Sequence, residues 1–162
     1  MALNTLQDLL VEELKDTYSA ETQIAQALPK MAQAATSPQL KAAFEKHLIE
    51  TQNQVKRLEQ IFQHLGESPE GNTCEATEGL VKEGKEMIEA DADPQVKDAG
   101  LIASAQKVEH YEIASYGTLT TWAKELGHHE IADLLGQSLN EEELTDKALS
   151  QLAESRVNAM AE

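Results

Sequence analysis

Apolar residues recur along this chain in alternating steps of three and four, the spacing that places them on one face of a helix. The first such stretch, about residues 3 to 35, carries Leu3, Leu6, Leu10, Leu14, Ile24, Leu28 and Met31 on one side. Asn4 or Thr5 stands where a cap belongs, Thr17 and Glu21 fill the gap in the stripe, and Pro29 predicts a kink in the last turns. Ser37 followed by Pro38 is a cap with proline at the first helical position, opening a second helix over about 38 to 65. Its stripe reads Leu40, Phe44, Leu48, Thr51, Val55, Leu58, Phe62 and Leu65, with His47 and Glu50 one turn apart beside it, and Gly66 ends it.

The pattern then weakens. GESPEGNT, with Gly66, Pro69, Gly71 and Asn72, reads as a loop, and about 75 to 91 as a shorter amphipathic segment around Leu80, Val81, Met87 and Ile88. So long a connection predicts a crossover carrying a short helix rather than a tight turn. A third long helix, about 95 to 126, has Ile102, Ala105, Tyr116, Leu119, Ala123 and Leu126 on one face and ends at Gly127. A fourth, about 129 to 159, shows Leu135, Leu139, Leu149 and Ala153. Strand signals and solenoid repeats are absent. The expected fold is all-α: one domain over 1–162, a four-helix bundle with a crossover connection that carries a short fifth helix.

Carboxylates interrupt these stripes. Glu109 and Glu112 stand where the third helix calls for Leu or Ala, Glu21 does the same on the first, and Glu142 and Asp146 lie between Leu139 and Leu149 on the fourth, with Glu143 one turn before Asp146. Charged groups on a core-facing stripe demand compensation. Glu21 and Glu50 each lie about fifteen residues from the turn near Ser37, and Glu112 and Glu142 about fifteen from the turn near Gly127; at 1.5 Å per residue all are roughly 22 Å deep. Helices of about thirty residues are about 45 Å long, so the four helices aim acidic groups at one mid-height layer. Two like charges about 4 Å apart repel by about 4 kcal/mol at an effective dielectric near 20. With no Lys or Arg on these stripes near mid-height, a pair of divalent cations is the expected compensation. Oxygen donors with one or two imidazoles suit iron or manganese better than zinc or copper.

Composition narrows the rest. The chain has 162 residues, with 29 acidic against 13 basic and a formal net charge of −16. That excess attracts cations and, lacking a basic face, argues against nucleic acid as a partner. An aromatic content of 4% leaves no stacking platform for single strands. Cys74 is the only cysteine, which excludes an internal disulfide and a thiolate cluster; in a loop, it is expected to be exposed and oxidisable. No apolar run spans a bilayer and MALNTLQDLL does not resemble a signal peptide, so no membrane and a cytoplasmic location are expected. Tyr18, Tyr111, Tyr116 and Trp122 read as core filling, with a tyrosine near the site as the lesser option, His110 as flanking the site, and His128 and His129 as part of a turn.

Glu21, His47-x-x-Glu50, Glu109-x-x-Glu112 and Glu142-Glu143-x-x-Asp146 together resemble the dimetal carboxylate pattern of ferritin-like proteins. Nearly the whole chain, including AETQIAQALPKMA, RLEQIFQHLG and VEHYEIASYGTL, resembles the YciE/YciF-type bacterial stress-protein branch of that superfamily. The resemblance implies a ferritin-like bundle, a non-haem dinuclear iron site and association into homodimers. Two features depart from the usual superfamily pattern, which has Glu-x-x-His on the second helix and a His on the fourth. Here the order is His47 then Glu50, and Asp146 takes the second place. Fewer imidazoles alter both metal affinity and redox tuning.

Three function classes follow. In the first, a redox enzyme of peroxidase, catalase or ferroxidase type, two iron (alternatively two manganese) ions react with peroxide or dioxygen. Glu50 and Glu112 (or Glu142) bridge, Glu21, His47, Glu109 and Asp146 are terminal, Glu143 is the alternative to Glu142, and no side chain is assigned a separate catalytic role. In the second, a stress-induced protein, bound metal stabilises the bundle without turnover. In the third, the bundle is a metal-free interaction module.

Overall fold

The structure is a computed structural model that describes residues 2–71 and 73–162; Asn72, part of the expected loop, lies outside the described residues. Local chemistry sets each helix boundary. α1 (Leu6–Ala34) starts at Thr5, whose hydroxyl accepts from the Asp8 N–H at 3.1 Å while the Thr5 N–H donates to the Asp8 carboxylate at 2.9 Å. Two otherwise orphaned amides are satisfied reciprocally. α1 continues without interruption through Pro29. α2 (Pro38–Leu65) starts at the Ser37 cap with Pro38 at its first position and stops at Gly66, whose φ of 68° is left-handed and suits glycine.

The crossover carries α3 (Glu75–Glu89), and Pro94 opens the longest helix, α4 (Pro94–Glu125). Gly127, at φ 76°, makes the sharp turn into α5 (His129–Leu152). The fourth bundle helix runs shorter than its pattern suggested, passing into a π-helical turn at Ala153–Val157 and a last turn, α6 (Asn158–Met160). No strand occurs among the described residues.

Packing closes a ring in which α1 touches α2, α2 touches α5, α5 touches α4 and α4 returns to α1, while α3 lies outside against α1 and α4. This is the expected all-α, ferritin-like four-helix bundle with a crossover helix. The core has two apolar halves. One gathers Leu10, Leu14, Leu58, Phe62, Leu119 and Leu135 near the end that bears Gly66 and Gly127. The other gathers Ile24, Leu28, Leu40, Phe44, Leu101 and Leu149 near the turn between α1 and α2. The buried polar layer lies between them.

That turn is tied to α4 by one side chain. Asp98, buried at 3% exposure, accepts from the Thr36 and Ser37 N–H groups at 2.7 Å each. Removing it leaves two donors without partners in a half-buried turn. Asp98→Ala is therefore expected to cost about 2–4 kcal/mol in denaturant unfolding, with Asp98→Asn in between. A loss well under about 1 kcal/mol for the alanine variant would show that solvent satisfies the turn instead.

Candidate metal centre

The two stripes that carry carboxylates without ambiguity in the sequence are buried as expected. On α1 the buried face runs Leu10, Leu14, Thr17, Glu21, Ile24, Leu28, and on α4 it runs Ile102, Ala105, Glu109, Glu112, Tyr116, Leu119. On α2 and α5 the face is rotated from the apolar reading. His47, Thr51 and Gln54 are buried on α2, whereas Leu48 and Val55 sit at its margin. Ser138, Glu142 and Thr145 are buried on α5, whereas Leu139 and Asp146 are marginal. A polar layer misleads the apolar rule at the height where it matters.

His47, Glu109, Glu112 and Glu142 each offer a ligand atom, and these atoms all lie within 4.8 Å of one another. All four residues are buried. His47 Nε2 is 3.0 Å from Glu109 Oε1, 3.8 Å from Glu142 Oε2 and 4.0 Å from Glu112 Oε2. Glu21, fully buried on α1, joins the layer beside Glu112 and accepts a hydrogen bond from the Tyr116 hydroxyl. Glu50 stands at the rim, 19% exposed in its side chain, with Oε2 3.9 Å from His47 Nδ1 and Oε1 paired to Lys46.

The other expected ligands lie elsewhere. Glu143 is exposed, so of the adjacent pair it is Glu142 that faces inward. Asp146 is half-buried at the surface, 3.3 Å from the exposed His110, so both belong to a rim pair outside the cluster. His128 contacts Gln7 at the end of the bundle. Cys74 is not the exposed loop thiol expected. It is 1% exposed, caps α3 and contacts Thr77 and the Tyr111 hydroxyl.

Gln54 and Arg57 beside the site were missed. Gln54 donates its amide to Glu142 and to Glu141, and Arg57 holds Glu141 through two parallel contacts of 2.6 and 2.7 Å. Tyr116 was read as core filling, with a tyrosine near the site as the lesser option; the structure shows the lesser option, its hydroxyl donating to Glu21. A cation thus stands near the layer, on Glu141 rather than on the buried carboxylates. The spacing His47, Thr51, Gln54, Leu58 held the signal for Gln54, since it follows the same helical step.

Burial pushes Glu112 and Glu142 well above the usual carboxyl range; neighbouring carboxylates add to this, while at Glu142 the His47 charge opposes it. Burial also raises Glu21, to about 7, against the lowering pull of Tyr116 and His47. Burial alone would depress His47, but the Glu109 carboxylate and the contacts to Glu109, Glu50 and Glu142 outweigh it and raise it well above an ordinary histidine. Even so, Glu21 Oε2, Glu109 Oε2, both Glu112 oxygens, Glu142 Oε2 and both His47 ring nitrogens have no hydrogen-bond partner among the described residues. Orphaned buried polar atoms are costly and rare. Here they face one another, which is the arrangement a cation satisfies. Ligands on opposite sides of an ion at about 2.1 Å each are about 4 Å apart, close to the observed spread. The donor set of carboxylates and one imidazole fits iron or manganese.

Among the described residues no helix is long and apolar enough to cross a membrane. The chain is 46% identical over 163 aligned residues to protein YciF of Escherichia coli K12, spanning 100% of this chain and 98% of that protein. Its structure is similar to the crystal structure of the E. coli stress protein YciF, with a TM-score of 0.92 over 96% of this chain and 98% of that one. YcfI of Rhodopseudomonas palustris superposes with a TM-score of 0.88 at 49% identity, over 91% and 94% of the two chains. A protein from Xanthomonas campestris does so at 0.75 and 26% identity, over 96% of each. The model of the DUF892 family, described as a domain of unknown function, matches residues 5–162. The chain belongs to this family, the DUF892 family of helical bundles related to the stress protein YciF.

Proposed function

We propose that the buried layer is a metal centre holding iron or manganese, and that the protein is a metal-dependent member of the bacterial stress response. The observation that carries this is the set of unpartnered donor atoms from His47, Glu109, Glu112 and Glu142, converging from α2, α4 and α5. Glu21, beside Glu112, and Glu50, beside His47, would complete the donors for a second ion, giving a dinuclear centre of the kind built in four-helix bundles. When bound, such ions supply redox chemistry toward peroxide or dioxygen.

The chain's own contribution is to fix and shield the donors. Gln54 and Tyr116 orient Glu142 and Glu21, Arg57 anchors the outer end of that polar chain through Glu141, and the two apolar halves exclude water above and below. A homodimer of the bundle in the cytoplasm completes this reading.

Protein purified without a histidine tag, stripped with chelator and reconstituted with Fe(II) or Mn(II), is expected to retain about two ions per chain on elemental analysis. Retention of about one would reduce the centre to the four clustered residues, and no stoichiometric uptake would remove it.

A second reading, in which metal stabilises the bundle without turnover, is favoured by the oxygens already engaged: Lys46 holds Glu50 and Gln54 holds Glu142. It predicts a large drop in melting temperature on chelation together with no peroxide consumption in either state. The redox reading predicts faster peroxide consumption by the loaded protein than by free metal.

A further inference from the structure

A cavity of about 210 Å³ opens between α1, α3 and α4 and ends on His47 and Glu109. Its inner wall is Ile24, Leu28 and Ala105, all buried; its outer wall is Leu80, Val81 and Ile88 of the crossover helix, all half-buried. A glycine forms part of its wall. Gly84 is buried on the inner side of α3, and a Cβ placed there would stand 4.0 Å from that of Ser104, in ordinary contact. Glycine inside a helix is a destabilising choice, and here the lost side chain leaves volume in the cavity wall.

Size and lining define what fits. An apolar cavity of about 150 Å³ accepts benzene, so this one takes a ring or chain several carbons larger. The charges are placed unequally along its length. Lys30 of α1 and Lys85 of α3 are exposed at the mouth, and the one carboxylate lining the cavity, Glu109, lies at the inner end. Lys30 makes no ion pair among the described residues, and Lys85 meets only the exposed Glu89 at 3.7 Å. In a chain of net charge −16 a paired lysine rim is an unusual attraction for an anion, and the acidic inner end repels one.

We propose that this cavity binds a small amphiphilic monocarboxylate, its apolar body packed among Ile24, Leu28, Val81, Ile88 and Ala105 and its carboxylate held at the rim by Lys30 and Lys85. The ligand's far end then lies against His47 and Glu109, so the cavity is also the route by which a small molecule reaches the metal layer. Binding itself does not depend on metal.

Octanoate, octanol and octylamine, titrated separately into the full chain in chelator-treated and manganese-loaded forms, test this by calorimetry and methyl NMR. Octanoate is expected to saturate one site in both forms, to bind more tightly than octylamine, and to shift the methyl resonances of Ile24, Val81 and Ile88. Lys30→Glu with Lys85→Glu is expected to weaken octanoate about tenfold, the scale of losing two exposed charge contacts, while octanol binding is unchanged. Gly84→Leu, or the smaller Gly84→Val, fills the cavity and abolishes binding of both. Equal or tighter binding of octylamine, or an octanoate affinity indifferent to charge reversal, overturns the proposal. So does the absence of methyl shifts at the three named residues, which is read on the unsubstituted chain and needs no variant to fold. Because the chelated form is measured alone, failure of metal uptake and failure of ligand binding are separate results.

Discussion

Replacing His47 by alanine is expected to abolish stoichiometric uptake of iron or manganese while leaving the helical content unchanged. His47 supplies the only nitrogen donor of the cluster, and its ring lies 3.0 to 4.0 Å from three carboxylates on two other helices. Groups that merely support a ligand are worth about 10–100-fold in metal affinity, so loss of the ligand itself should exceed that. Glu142→Ala is expected to behave alike, whereas Glu143→Ala, one residue on but exposed, should bind metal as the parent chain does. Equilibrium dialysis with elemental analysis reads all three, and circular dichroism checks the fold. Retained uptake in His47→Ala, or equal losses in the two neighbouring glutamate variants, would move the site away from this layer.

Stability of the metal-free protein should fall as pH rises, the reverse of ordinary acid denaturation. Burial first, and neighbouring carboxylates second, hold Glu112 well above the usual carboxyl range, and burial lifts Glu21 from 4.5 to about 7. Between those two values the folded chain keeps protons that the unfolded chain has released. Stability from such groups is fully present below the unfolded value and is lost as pH climbs through the folded one. Glu21 alone accounts for about 3 kcal/mol on this scale. His47, raised by its carboxylate neighbours against burial, has the same sign: its share is lost as pH passes above its folded value. Glu50 is lowered by its contacts to His47 and Lys46 and works the other way, weakly, because it is partly exposed.

Metal reverses the trend, since ions displace these protons and bind better as pH rises. Thermal melts from about pH 5 to about pH 8, with and without chelator, should show the chelated protein losing stability while the gap to the loaded protein widens. A chelated protein that gains stability across this range would mean that the buried carboxylates are ionised and compensated by something else.

Most of the architecture was legible in the sequence because caps, breakers and apolar steps act locally. Thr5, Ser37, Pro38, Gly66 and Gly127 mark boundaries through backbone geometry that needs no tertiary context. Glu21, Glu109 and Glu112 were legible too, for they interrupt stripes whose flanking residues are plainly apolar. On α2 and α5 the sequence offered two adjacent faces of nearly equal apolarity, and the choice between them turns on packing against neighbouring helices. The apolar rule favoured Leu48, Val55 and Leu139, and the structure favours His47 and Gln54 on α2 and Ser138 and Thr145 on α5, with Glu142 inward as expected. The same rotation carries Asp146 to the surface, where it meets His110. Cys74 was misplaced for a related reason: its loop is polar, but the tertiary fold lays the start of α3 over Tyr111 and Ser19.

The division of the core by a polar layer has a consequence for how the helices align. Four amphipathic helices of similar length can slide past one another by one turn, about 5.4 Å, while keeping most apolar contacts. In this bundle such a slip would drive Glu21, Glu112 or Glu142 into Leu10 and Leu14 at one end or Leu28 and Phe44 at the other. A buried carboxyl cut off from its polar neighbours, ionised or protonated, costs more than the slip would otherwise lose. The acidic layer therefore specifies a single register, and the burial that makes it a weak source of stability makes it a strong source of uniqueness.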